Sequence, residues 1–335
     1  MNYSAAARET WRHFDLANAA RDYVSLVRYA TLAASSHNTQ PWKFRLEPNR
    51  IVILPDLSRR CPAVDPDDHH LYASLGCAAE NLLVAAQAAG LKGHYSYDAS
   101  ASSVQIDFEE APPFRSALFE VIPRRQCSRA GYDGSPLSAG HLRQLEEAGH
   151  GNGVSVMLLT DSRQKEQVAQ YVAEGNTTQF GDAAWAEELK SWIRFNARDA
   201  VLTGDGLYGP VMGSPDVPRL LGMLFMRFAF SAKNQNRKDI RHIRSSAAIA
   251  VLFSEGDDKP HWIEAGRFYE RLALQAAALD LRTAFINQPV EVPALRPQFA
   301  RFLGIGDRRP DLIVRIGRGP EMPRSLRRPV EQVLV

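Results

Sequence analysis

Cysteine is scarce. Cys61, Cys77 and Cys127 are the only three in 335 residues, and an odd number at wide spacing excludes a disulfide framework or a zinc cluster as the organising device. Long apolar runs are missing as well. Arg8, Glu9, Arg12, Asp15, Arg21, Asp22 and Arg28 interrupt the first thirty residues, so neither a signal peptide nor a membrane span fits and a cytoplasmic protein is expected. No charge of one sign dominates. Forty basic residues stand against 38 acidic ones, interspersed, for a net +2, which leaves no stripe for nucleic acid and no polybasic tail for a membrane. There is no Gly-x-Ser-x-Gly elbow, no phosphate-binding glycine loop ending in Lys and Ser or Thr, and no dinucleotide fingerprint after a strand. What remains is 45% hydrophobic content, enough to fill the core of one large domain or two ordinary ones.

The strands that pattern predicts are Trp42 to Leu46 with Ile51 to Leu54, His94 to Tyr97, Val104 to Phe108, Val154 to Leu159, Ala247 to Phe253, Thr283 to Ile286 and Leu312 to Ile316. Helices are predicted over Ala20 to Ala34, Leu71 to Ala89, Ala139 to Ala148, Arg163 to Glu174, Ala183 to Arg194 and Ile263 to Leu279. Strands and helices in both parts give an α+β class. Gly266, Glu270, Leu272, Ala276, Ala278 and Leu281 repeat Gly76, Glu80, Leu82, Ala86, Ala88 and Leu91 at one constant offset, each set leading into a strand, which reads as an internal duplication. The division falls near Ala111, Pro112 and Pro113, giving an N-terminal half over 1–112 and a C-terminal half over 113–335.

A glycine- and proline-rich stretch at about 199–240 interrupts the second half like a lid or an insertion, and its Met- and Phe-rich run, Leu220 to Phe230, reads either as a cover over a ligand or as an element packed on the core or on a partner subunit. Asp65, Asp67, Asp68, His69 and His70 precede a helix. They read as its N-terminal cap rather than as metal ligands, and no metal site is predicted.

The densest polar segment is Ser35, Ser36, His37, Asn38, Thr39 and Gln40, followed by Pro41 and Trp42. Pro41 biases Gln40 away from the helical region, so the chain leaves its helix there and offers hydroxyls and amides suited to the polar edge of a heterocycle. A polar helix cap leading into a strand has the same composition. Further on, Arg125 and Arg129 stand at a helix-like spacing of four around Cys127, a fixed positive pair of the kind that holds a phosphate. Basic residues cluster again at Arg324, Arg327 and Arg328.

The octet Ser35–Trp42 resembles the flavin-contacting segment of the nitroreductase superfamily, and in full looks like its Acg-like branch of FMN-binding oxidoreductases. The resemblance implies a nitroreductase-like fold, here a fused pseudo-dimer of two mixed sheets with helices, monomeric or again dimeric. It implies FMN as cofactor, NAD(P)H as a transient electron donor and a small-molecule acceptor such as a nitroaromatic or quinone. By the same resemblance, Ser35, Ser36, Asn38 and Gln40 lie over the flavin. Arg125, Cys127 and Arg129 hold its phosphate and ring edge, with Cys127 replacing the usual hydroxyl. Arg327 and Arg328 return to the phosphate, and Gln288, or Asn287 beside it, donates a backbone amide to the reactive nitrogen. Two other functions fit the resemblance: sequestering FMN under a closed lid, or dehydrogenating a specific metabolite.

Overall fold

The computed structural model describes residues 2–17, 19–228 and 230–335; Met1, Asn18 and Ala229, the last inside the predicted Leu220–Phe230 run, lie outside it. Its first sheet contains β1 (Trp42–Glu47), β2 (Arg50–Pro55), β3 (Leu91–Asp98) and β4 (Ser103–Glu110) in the order β1-β2-β4-β3. Later come β5 (Val154–Leu159), the two-residue strands β6 (Ile193–Arg194) and β7 (Leu207–Tyr208), β8 (Ala248–Ser254), β9 (Arg282–Phe285) and β10 (Arg309–Gly317). The second sheet has the order β5-β8-β10-β9. Each sheet therefore runs first, second, fourth, third strand, with a 20-residue helix, His69–Ala88 or Lys259–Ala278, between its second and third. This repeated topology matches the repeat in the sequence.

Pairing within both sheets is antiparallel, where mixed sheets were expected. Two of these pairs are hairpins: the short turn through Asn49, at φ 57°, folds β1 back on β2, and the turn through Ser102, at φ 50°, folds β3 back on β4. Strand alternation is clearest in β4, where Val104, Ile106 and Phe108 are buried. β8 and β10 are buried along their whole lengths, as central strands covered on both faces must be.

The two long helices cross at the repeated glycines. A Cβ on Gly76 would stand 1.9 Å from the carbonyl oxygen of Ile263, and one on Gly266 would stand 1.9 Å from that of Ala73. No larger residue fits either place. The contact is reciprocal, and one hydrophobic core runs from Phe44 and Ile53 through both helices to Leu252 and Val314. The chain ends also exchange support. The C-terminal tail pairs with β1 through Phe44 N–H to Val333 O (2.7 Å) and Val335 N–H to Phe44 O (3.0 Å).

The helix predicted over Ala20 to Ala34 is divided. Tyr23, at φ 55°, separates Ala19–Asp22 from Val24–Thr31. Arg125 and Arg129 do not share a helix. Residues 125–129 are outside any helix, with Cys127 bridged to Thr283 of β9 and Ser128 N–H donating to Thr283 O at 2.9 Å. The face they share comes instead from the two-residue repeat of an extended chain.

Candidate active site

The polar turn after the helix Val24–Thr31 is conformationally strained. His37, Asn38 and Gln40 have φ of 47°, 54° and 54°, each costing on the order of 1–3 kcal/mol. A dense set of hydrogen bonds offsets that cost. Asn38 Nδ2 donates to Gly206 O (3.1 Å) and Leu326 O (3.2 Å), and Gln40 Nε2 donates to Gly204 O (2.9 Å). Gln40 Oε1 accepts from the Arg328 amide (2.8 Å), and Ser35 Oγ accepts from the Gln40 amide (3.1 Å). Gly204 and Gly206, at φ 65° and 74°, run so close to Arg327 and Trp192 that a Cβ would meet their carbonyl oxygens at 2.8 and 2.4 Å.

Two cavities open beside this turn. The larger, about 290 Å³, is walled by Ser35, Ser36, His37, Arg129, Asn287 and Gln288, all but His37 predicted site residues. The smaller, about 60 Å³, lies between Ser35, Asn38, Arg125, Cys127, Arg129 and Arg327. Ala34, Ser35, Arg129, Leu207 and Phe285 belong to both walls, so the two adjoin. Gln40 and Arg328 line neither. They stand behind the turn, where Arg328 holds Gln40 O (3.3 Å) and Gln332 O (3.0 Å).

The small cavity is strongly cationic. Arg125 is buried against Glu270 (2.7 Å) and donates through Nη2 to Leu32 O (3.0 Å), while its Nη1 is buried without a hydrogen-bond partner. Arg327 donates to Thr31 O (2.7 Å), Leu32 O and Ala33 O (3.0 Å each) and Asn38 Oδ1 (3.0 Å), capping the carbonyl end of the helix Val24–Thr31. Burial, and then the neighbouring Arg125, push Arg327 down to about 9 against the pull of Glu270.

The larger cavity combines an apolar cover with polar walls. Trp185, Leu189, Leu207, Met212 and Phe230 cover it. The Arg219–Phe228 helix does not do so as the Met- and Phe-rich run suggested, since Leu220, Leu221, Leu224 and Phe225 face outward, Leu220 at 80% exposure. The stretch is anchored near its start, where Asp205 pairs with Arg59 and, at 2.7 Å, with Arg194. On the opposite wall, Asn287 Oδ1 accepts from the Ile313 amide (2.8 Å), which turns its Nδ2 toward His70 Nε2 (3.2 Å).

His70 Nδ1 faces Asp65 Oδ1 at 3.3 Å. Burial opposes the charged ring and Asp65 favours it, with the balance raised above the ordinary histidine value. An added proton on Nε2 would point at an amide donor, so the neutral ring with Nδ1–H toward Asp65 satisfies all three groups.

Asp65 also accepts the backbone amides of His70 and Leu71 (3.0 Å each), which makes it the cap of its helix. Ligand atoms of Asp65, His69 and His70 come within 4.8 Å of one another. His69 Nε2 lies 3.0 Å from Asp311, a residue re-aimed by the bulge between Pro310 and Leu312. Burial, with nearby Arg129 and His70, drives His37 down to about 4, so its ring is neutral; its Nδ1 is buried and unpartnered.

His37, His70, Lys238, His242 and Arg315 line the cavity although none of them was among the predicted site residues. Arg315 had a signal: it interrupts the apolar strand Leu312, Ile313, Val314, Ile316.

No family model matches the chain. The Mycobacterium tuberculosis protein named "Putative NAD(P)H nitroreductase Rv3131" is 28% identical over 345 residues, spanning 96% of this chain and 92% of that protein. "Putative NAD(P)H nitroreductase acg" of the same organism is 24% identical over 325 residues, spanning 92% and 94%. The solved FMN-dependent nitroreductase NfnB from Mycobacterium smegmatis in complex with NADPH is 12% identical, with a TM-score of 0.43 over 64% of this chain and 96% of that one. Along nearly its whole length, then, the chain is similar to Mycobacterium tuberculosis proteins named "Putative NAD(P)H nitroreductase", acg among them, which is the likeness that the octet Ser35–Trp42 implies.

Proposed function

We propose that the protein is a cytoplasmic FMN-dependent oxidoreductase that passes two electrons from NAD(P)H to a small acceptor such as a nitroaromatic or quinone. When bound, FMN supplies the redox chemistry, and the protein orients and tunes it. The observation that carries the reading is the adjoining pair of cavities, with an unpartnered buried Arg125 Nη1 in the smaller wall and the Ser35–His37 turn in the larger. A phosphate matches the first and a planar heterocycle with a polar edge the second.

In this reading Arg125 and Arg327, with Cys127 beside them, hold the phosphate. Ser35, Ser36 and Arg129 take the polar edge of the ring, and Gln288, with Asn287, contributes the donor on the opposite wall. Asn38, Gln40 and Arg328 support the site from behind through the hydrogen bonds given above. The turn comes from residues 1–112 and the arginines and amide donors from residues 113–335, so each chain builds one site, covered by the insertion at about 199–240.

The anchoring of Gly204, Asp205 and Gly206 to the turn favours a second reading, in which the covered site retains FMN with little turnover. One experiment tests both. The purified protein is scanned from about 300 to 550 nm and then given NADH or NADPH without oxygen. Flavin bands that bleach support turnover, and bands that persist favour retention. A colourless protein that takes up no added FMN overturns both. Replacing Arg125 and Arg129 together with Ala is expected to strip the flavin, since charge-assisted bonds contribute roughly 1.5–3 kcal/mol each. Full retention of FMN would remove both residues from the site.

A further inference from the structure

The large cavity has a second cationic region. Arg315 projects from β10, its guanidinium 4.2 Å over the Tyr132 ring, with Nη2 donating to Ser128 O (3.1 Å) and Ala130 O (2.8 Å). The side chain is 2% exposed, and its Nη1 is buried in the cavity wall without a partner. Lys238 enters from the helix Ala232–Arg244, donating to Met212 O at 3.0 Å and keeping two further protons to donate. Arg129 lines the same wall, and the His242 ring faces it.

The nearest counter-charge is Asp239, whose carboxylate accepts from Asn176 (2.9 Å) and Gln235 (2.9 and 3.0 Å). Among the described residues no carboxylate lies within ion-pairing distance of Arg129, Lys238 or Arg315. Burying cations without a partner is costly, and an isolated guanidinium deep in an apolar strand is the clearest case.

We propose that Lys238 and Arg315, next to the flavin-facing Arg129, form an anion subsite, separate from the flavin phosphate's place, that receives the carboxylate or phosphate of the small molecule reduced in the cavity. The assignment deepens the oxidoreductase reading and rests on it for the word reduced, while the subsite itself stands on the side chains. Two buried, unpartnered guanidinium nitrogens, Arg125 Nη1 and Arg315 Nη1, stand in the walls of the two cavities and match two anions.

The electrostatics agree. Burial lowers the proton affinity of Lys238, and Arg129 and Arg315 lower it further against the pull of Asp239. Burial also lowers Arg315, with Arg129 acting in the same direction. Burial and the charges of Arg315 and Lys238 push His242 down to about 4, leaving it a neutral hydrogen-bonding ring. An incoming anion relieves all of these.

The test uses the flavin-loaded protein and non-reducible probes: benzoate, phenyl phosphate and the neutral benzamide. Binding is followed by the shift of the flavin bands and, independently, by thermal stabilisation. One of the two anions is expected to bind at least about tenfold more tightly than benzamide, and the tighter one identifies the source of the charge. Lys238→Gln keeps a donor for Met212 O and removes the charge. It should weaken the anion about tenfold, leave benzamide within about twofold and retain FMN. Lys238→Arg should restore the preference.

Equal binding of anions and benzamide by the unsubstituted protein would overturn the subsite, as would an anion preference unmoved in Lys238→Gln. Loss of FMN from Lys238→Gln would also overturn it, by making these cations the flavin's own phosphate site. If the protein takes up no flavin at all, the oxidoreductase reading fails. The thermal comparison of benzoate, phenyl phosphate and benzamide then still decides the subsite.

Discussion

Gln40 sits at positive φ with both ends of its amide engaged, Nε2 on Gly204 O and Oε1 on the Arg328 amide. It joins the polar turn, the start of the cavity cover and the C-terminal segment, and it is fully buried. Gln40→Leu leaves two buried backbone groups unpaired, so a loss of about 1–3 kcal/mol is expected in urea unfolding of the flavin-free protein. A Gln40 that acted only on the cofactor would leave that midpoint unchanged. His37 and His242 make a different prediction, because burial first, and the cations beside each ring, lower both from 6.5 to about 4. The unfolded chain binds those protons and the folded one does not, so stability falls as pH drops from about 6.5 to 4, on the order of 2 kcal/mol for each ring. His37→Gln should flatten this part of the stability profile; an unchanged slope would show that His37 titrates normally.

At the scale of elements, the meeting of the two long helices is set by Gly76 and Gly266, each against the other helix's backbone. Gly266→Ala must push the helices apart. A loss at the upper end of the usual overpacking range, about 3 kcal/mol, is expected in chemical denaturation. Since Gly76→Ala forces the same separation, the double variant should lose less than the two single losses added together, and strict additivity would mean two independent contacts. Both glycines were legible in the sequence as partners in the repeat, and so were the eight strands of the two sheets and the long helices, because their apolar patterns are local.

What stayed hidden depends on partners far along the chain. Tyr23 breaks a helix that its own residues favour, holding a left-handed φ inside the core. Arg125 and Arg129 read as a helical pair, yet the Thr283 edge of β9 draws Cys127 into an extended bridge. Of the Leu220–Phe230 run, read as a cover or as a packing element, only Phe230 lines the cavity; it stands there with Trp185, and Phe180 packs against both at ring-centroid distances of 4.6 and 5.1 Å. At the site, motif residues were legible where short segments carry them. Lys238, His242 and Arg315 were not, since two separate elements, the helix Ala232–Arg244 and β10, bring them to the cavity with Arg129.

For the whole molecule, each half completes the other. The tail of the second half supplies a strand edge for β1, the helix Lys259–Ala278 packs across His69–Ala88, the helix beneath the first sheet, and Glu270 on Lys259–Ala278 accepts the Ala34 amide (3.2 Å) just before the polar turn. Among the described residues no helix is long and apolar enough to cross a membrane. The crossing of the two long helices also bears on mass action. Helices on separate chains meet at a rate that depends on how many chains share the solution, whereas here the meeting is first order within one molecule. The denaturation midpoint should therefore stay fixed when the protein is diluted about a hundredfold, and the proposed flavin site, whose walls come from both sides of that crossing, should keep its affinity at concentrations where a two-chain site would come apart.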